Sequence, residues 1–277
     1  MLDLEFAERT DVGRAREHNE DCIGHVIPAS TGQTHDVGWL FALADGVGGQ
    51  ECGEVASRLA IDTVLAEFKA IPKGVMHVSL LPKLVQQANQ AVFEAGAGET
   101  HGRARQMQSP AGAGGRMAST LILCALRFDS AVISHVGDSR CYLFRSGRLS
   151  CLTHDHTMAS EQIRLGIVAK GDEDTAPNRH ILTRSLGMEL FVAADTITVP
   201  VIPGDILMLC SDGLHGYVLD SAIQTALAST TNLDDGADAL IDAANNAGGH
   251  DNVSVQLIRV RSVERMGLYR GRPYRLL

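Results

Sequence analysis

Apolar residues in this chain fall into short runs, most of them broken by glycine or by an acid. Residues 3–12 and 20–27 read as two strands flanking the turn Gly13–Asn19. Trp39–Ala44 is wholly apolar and predicts a buried strand that stops at Asp45. Helical spacing follows over Glu54–Phe68, through Val55, Leu59, Ile61, Val64 and Leu65. It recurs over Leu80–Ala95, with Leu84, Val85, Ala88, Ala91 and Val92 on one broad face. Gly96–Arg116 is rich in Gly, Ala and Arg and reads as a loop. Ser119–Arg127, Ala131–Val136, Arg140–Phe144 and Arg148–Leu152 read as an antiparallel meander, with a hairpin turn at Ser146-Gly147. The polar stretch Thr153–Arg184 holds one helix, Met158–Leu165. Strands return at Val192–Val199 and Asp205–Cys210. Helices at Asp220–Ala228 and Leu233–Ala247 and a strand at Val253–Val260 complete the pattern. Strand runs and helix pairs alternate in blocks rather than as βαβ units. This predicts an α+β protein with antiparallel sheets and helices on their outer faces.

A length of 277 residues fits one large domain or two small ones. The net charge of −9 argues against a nucleic-acid partner. No apolar run is long enough to span a membrane, and Met1–Arg9 carries Asp3, Glu5 and Glu8 where a secretion signal would be basic. Cytoplasmic localisation follows as the expectation, with the six cysteines as reduced thiols. Ser262–Leu277, with Arg265, Arg270, Arg272 and Arg275, reads as a basic tail for which disorder is the plain reading.

The chemistry lies in five acidic clusters: Asn19-Glu20-Asp21, Asp45-Gly46-Val47-Gly48-Gly49, Gly137-Asp138-Ser139-Arg140, Ser211-Asp212-Gly213 and Asp251-Asn252. Three follow apolar strands. Carboxylates at strand ends beside glycine are a way to bring hard oxygen ligands to one point, which implies a site for divalent ions. Each Asp-Gly pair alone is an ordinary turn. Arg16, four residues before Glu20, adds a guanidinium that grips phosphate oxygens. Acids around metals plus one arginine describe phosphoryl transfer to water without a covalent phosphoenzyme.

These motifs and their order resemble the metal-dependent (type 2C, or PPM) Ser/Thr protein phosphatases of bacterial type. The matching elements are Arg16–Asp21, Asp45–Gly49, Met117–Leu121, Gly137–Arg140, Leu152–Thr157, Leu182–Gly187, Ser211–Leu214 and Gly249–Ser254. The resemblance implies a phosphatase domain over 1–261 with a flap at about 153–184, followed by the tail 262–277. It implies a four-layer α-β-β-α sandwich of two antiparallel sheets flanked by helix pairs. It also implies two or three Mn²⁺ or Mg²⁺ ions. Asp45 would bridge two of them. Asp212 and Asp251 would complete the first ion's shell, and the Gly46 carbonyl with Glu20 or Asp21 through water would serve the second. Asp138, with Asp212, would take the third. Arg16 would hold the phosphate and Asn252 would orient Asp251. The implied partners are phosphorylated proteins, including a Ser/Thr kinase and its substrates, with a monomer as the expected state. Some members place a histidine within the Asp-Gly-x-Gly-Gly element to protonate the leaving oxygen; here Val47 stands there.

Two other readings compete: a binding module that recognises phosphoproteins without turnover, and a metal-dependent phosphodiesterase acting on small molecules. The complete acid set favours activity. Cys52 and Arg58 have the C-x₅-R spacing of cysteine phosphatases, but Glu54 interrupts the segment, which reads as helix. His135 reads as a core histidine, and His154 and His156 as structural residues at the flap base rather than a zinc pair.

Overall fold

A computed structural model describes residues 1–47, 52–103, 117–167, 181–264, 266–269 and 272–275. One antiparallel sheet has the spatial order β1 (Asp3–Asp11), β11 (Val253–Ser262), β10 (Ile206–Cys210), β7 (Arg140–Arg145), β8 (Arg148–Cys151). The other has the order β2 (Asp21–Val26), β3 (Trp39–Val47), β5 (Leu121–Arg127), β6 (Ser130–Val136), β9 (Asp195–Pro200), and the short β4 (Ala118–Ser119) pairs with the end of β3. Helices α2 (Cys52–Lys69) and α3 (His77–Arg103) pack on the second sheet, and α6 (Asp220–Ser229) and α7 (Leu233–Asn246) on the first. The molecule is the four-layer α-β-β-α sandwich.

Three apolar cores follow from this layering, and they explain the unbroken apolar runs. Along β3, Leu40, Ala42 and Ala44 face α2 and α3. Phe41 and Leu43 face the other sheet, beside Ile122, Ile133, Leu207, Leu209 and Ile258. In β10, Met208 and Cys210 turn outward to Leu240 and Ala237 of α7, while Leu207 and Leu209 turn inward. A strand covered on both faces has no polar side to alternate with.

The structure departs from the sequence pattern at several elements. The predicted meander is split: β5 and β6 are a hairpin of the second sheet, whereas β7 and β8 belong to the first. The chain crosses between sheets at 137–139. Helix α3 runs to Arg103, beyond the predicted stop at Ala95; residues 104–116 of the predicted loop lie outside the described residues. Two short helices have no periodic signature. In α1 (Thr31–Asp36), Ser30 accepts a bond from the Gln33 N–H and caps a turn of polar residues. Helix α5 (Asp212–His215) is a single turn after β10. The flap helix α4 spans Met158–Arg164, and residues 168–180, including the acidic Asp172–Asp174, lie outside the described residues. The tail is not plain coil: β11 extends to Ser262, and β12 (Met266–Tyr269) pairs with β13 (Arg272–Arg275).

Candidate metal and phosphate site

Strand register delivers the acids to one end of the sandwich. Asp21 opens β2 directly opposite Asp45 near the end of β3. β10 ends at Cys210; Ser211 then takes the position just before α5, whose first residue is Asp212, and its hydroxyl turns to Asp21 rather than to the helix end. Asp138 lies on the crossover after β6, and Asp251 on the turn before β11. Two glycines make this convergence possible. A Cβ on Gly46 would overlap the carbonyl oxygen of Gly53 at the start of α2, and one on Gly213 would overlap that of Asn252. The backbones therefore meet at distances only glycine tolerates. Gly48 and Gly49 lie outside the described residues.

The electrostatics are those of crowded, dehydrated carboxylates. Burial pushes Asp45 well above the ordinary carboxylate range, and the charges of Asp21, Asp212, Asp138 and Asp251 push it further. Burial raises Asp21 to about 7, with hydrogen bonds from Ser254 and Ser211 opposing and Asp212 and Asp251 adding to the shift. Burial and then Asp212 raise Asp138 to about 8. Burial also raises Glu20, against the pull of Arg16. One oxygen of Asp21, Oδ2, accepts from Ser211 Oγ at 2.7 Å. Its Oδ1 is buried with no hydrogen-bond partner among the described residues. An orphan carboxylate oxygen is costly in itself. Set among like charges, it fits a divalent cation, which accepts hard oxygen ligands and neutralises the set. Among the described residues no three acidic, imidazole or thiol groups draw together into one closed ligand sphere.

Neighbouring groups hold these acids in place. The Asp45 N–H donates to Thr120 Oγ1 at 2.9 Å, and Thr120 Oγ1 lies 2.7 Å from Ser139 Oγ on the crossover. Ser119 Oγ donates to the Asp45 carbonyl. His215 Nε2 meets the Asp138 carbonyl at 2.9 Å. Arg140 grips both oxygens of Asp155 at 2.9 and 2.7 Å, which fixes the flap base beside the crossover. His135 Nε2 meets the His154 carbonyl at 2.9 Å and its ring stacks on His156. None of Thr120, Ser139, His215 or Arg140 is singled out by sequence reasoning. Thr120, Ser139-Arg140 and Asp155 lie inside the matching elements Met117–Leu121, Gly137–Arg140 and Leu152–Thr157, whereas His215 falls just outside Ser211–Leu214.

Arg16 is half exposed at the rim, and its Nη2 donates to Asp251 Oδ2 at 2.7 Å. Asn252 has a different task from the one expected of its side chain. The amide donates to the carbonyls of Val12 and His18 and accepts from the Glu20 N–H, clamping the loop that carries Arg16. Only its backbone N–H reaches Asp251, at Oδ1. The Glu20 carboxyl packs against Gly53 of α2. Val47 is exposed. Cys52 is buried at the start of α2, and Arg58 pairs with Glu54 one turn away. That helical geometry excludes a phosphate-cradling cysteine loop.

Residues 17–257 match the family model described as protein phosphatase 2C. The chain belongs to that family. It is 35% identical over 267 residues to the serine/threonine phosphatase stp of Listeria welshimeri, covering 95% of this chain and 97% of the relative. It is 30% identical over 263 residues to protein phosphatase PhpP of Streptococcus pneumoniae, covering 92% and 97%. Among solved structures, the Mycobacterium tuberculosis serine/threonine phosphatase PstP/Ppp superposes with a TM-score of 0.77 at 30% identity, over 94% of this chain and all of that one. The PstP catalytic domain solved with two manganese ions gives 0.75 at 30% identity, over 95% and 100%. This member of the 2C family is a metal-dependent protein phosphatase.

Proposed function

We infer that the acid cluster hydrolyses phosphoserine and phosphothreonine in proteins. The chain is a serine/threonine protein phosphatase, and the observation that carries the site assignment is the buried, partnerless Asp21 Oδ1 among acids that raise one another's pKa. In this reading Asp45, Asp212 and Asp251, with Asp21, Glu20 and the Gly46 carbonyl, would hold two Mn²⁺ or Mg²⁺ ions, and Asp138 with Asp212 would admit a third. When bound, such ions neutralise the acids and the phosphate and lower the pKa of water for in-line attack. Arg16 would orient the substrate: its guanidinium lies at the rim, bonded to Asp251, and a guanidinium can take two phosphate oxygens. Thr120, Ser119 and Ser139 keep Asp45 fixed during turnover. The partner in the cell is a Ser/Thr kinase and its substrates, acting in the cytoplasm. Relatives named as phosphatases leave the binding-only and phosphodiesterase readings without support.

The test is hydrolysis of p-nitrophenyl phosphate and of phosphothreonine peptides with Mn²⁺, with and without chelator. Turnover should need the metal, and Asp45→Asn should lower kcat at least a hundredfold with the fold retained by circular dichroism. Metal-independent turnover, or a near-normal Asp45→Asn enzyme, contradicts the assignment.

A further inference from the structure

A second feature of the same end of the molecule is apolar. Gly46 pairs with Ser119, and Ser119 bridges Leu186. Adjacent strands lie about 4.8 Å apart, so Leu186 stands roughly 10 Å from Gly46. The chain then loops through 187–192 and enters β9, whose Asp195 pairs with His135 at the acid-cluster end of β6. Helix α3 pins this loop. Asn89, fully buried, accepts from the Gly187 N–H at 2.9 Å and donates to the carbonyls of Glu189 and Leu190 at 3.0 and 3.1 Å. Gln86 donates to the Leu190 carbonyl at 2.9 Å and accepts from the Val192 N–H at 3.2 Å.

Fixed in this way, the loop presents Met188, Leu190 and Phe191 outward, 40%, 51% and 75% exposed. Phe191 is the most exposed large hydrophobic side chain among the described residues. Five hydrogen bonds hold apolar groups in water when a looser loop would let them fold away. A preorganised apolar display of this kind marks a contact surface.

We propose that the 188–191 loop docks an apolar side chain of the substrate phosphoprotein, roughly three to eight residues from the phosphorylated one. The proposal rests on the protein phosphatase reading. The spacing comes from the ladder: Leu186 is roughly 10 Å from Gly46, Met188 two residues on lies at most about 17 Å away and Phe191 five residues on at most about 27 Å, and an extended peptide advances about 3.3 Å per residue. The occupant follows from continuity. The loop follows directly on Leu186, which bridges β4, and β4 pairs with the end of the strand that carries Asp45, so a protein substrate with its phosphate at the acids has this loop within reach of its flanking residues.

The experiment uses the full chain with Mn²⁺ and a polar phosphothreonine peptide in which one leucine is walked from about nine residues before the phosphothreonine to about nine after it. Wild type should show KM roughly tenfold lower when leucine falls at the docking spacing on one side, equivalent to about 1.4 kcal/mol. The Met188→Ser/Leu190→Ser/Phe191→Ser variant should lose that preference while its p-nitrophenyl phosphate kcat/KM stays unchanged. No positional preference in wild type overturns the proposal, as does an equal KM change for every peptide in the variant. If the variant alters only the sedimentation mass, the loop is a face between copies and the proposal fails. Absence of turnover on every substrate overturns the phosphatase reading itself, and this one with it.

Discussion

The amide of Asn252 uses three hydrogen bonds on the loop that carries Arg16: two to carbonyls and one from the Glu20 N–H. Each is worth about 1 kcal/mol, and more when its partner is left dry. Asn252→Ala should therefore cost about 2–3 kcal/mol in urea unfolding. Because the loop also positions Arg16, the variant should raise KM for phosphopeptides more than it lowers kcat. A stability loss with unchanged KM would show that the clamp does not serve the phosphate. The sequence points to Asn252 through its neighbour Asp251, yet gives no sign of a clamp on residues 12–20, because those contacts join positions more than 230 apart.

At the scale of elements, the crossover 137–139 is the joint of the site. It carries Asp138 from one sheet to the other and is braced by the Arg140–Asp155 pair, both largely buried. Burial alone would raise Asp155; the Arg140 hydrogen bonds and charge override it and hold that carboxyl below its ordinary value. Arg140→Ala leaves a buried acid unpaired and should cost about 3–5 kcal/mol. The double variant Arg140→Met/Asp155→Leu should lose less, since no orphan charge remains. Urea midpoints of the two variants decide this, and a double variant as unstable as the single would refute it. Strands such as Trp39–Ala44 were legible because both faces are buried and the run is unbroken. Helix α1 was not, because a cap and not an apolar stripe specifies it.

For the whole molecule, the crowded acids set a pH dependence. An unfolded aspartate ionises near pH 4. Folded Asp21 and Asp138 keep their protons to about 7 and about 8. Between these limits the folded state binds more protons, so stability falls as pH rises and levels off above the folded values. Burial pushes His77 down to about 4, which removes stability as pH falls below the ordinary histidine value near 6.5. Five cysteines that burial pushes up act in the same direction as the acids near the ordinary thiol value of about 8.5, so a comparison of pH 6.5 with 7.5 reports mainly the acids. In chelator, the urea midpoint should be higher at pH 6.5. Adding Mn²⁺ at pH 7.5 should raise it again, as expected of a ligand that binds only the folded chain. A midpoint in chelator that rises with pH over this window would refute the coupling of these carboxylates.

The amino-acid sequence by itself determined which residues are the candidates for the chemistry, because acids, glycines and one arginine at fixed local spacings are properties of the chain. It also determined the two-sided burial of the strands and so the α+β class. Tertiary structure alone decided which acids face which. The crossover that splits a predicted meander puts Asp138 with Asp212, and strand register sets Asp21 against Asp45. Those pairings join distant segments, and what fixes them is the packing of two sheets on one shared core. No local pattern records that.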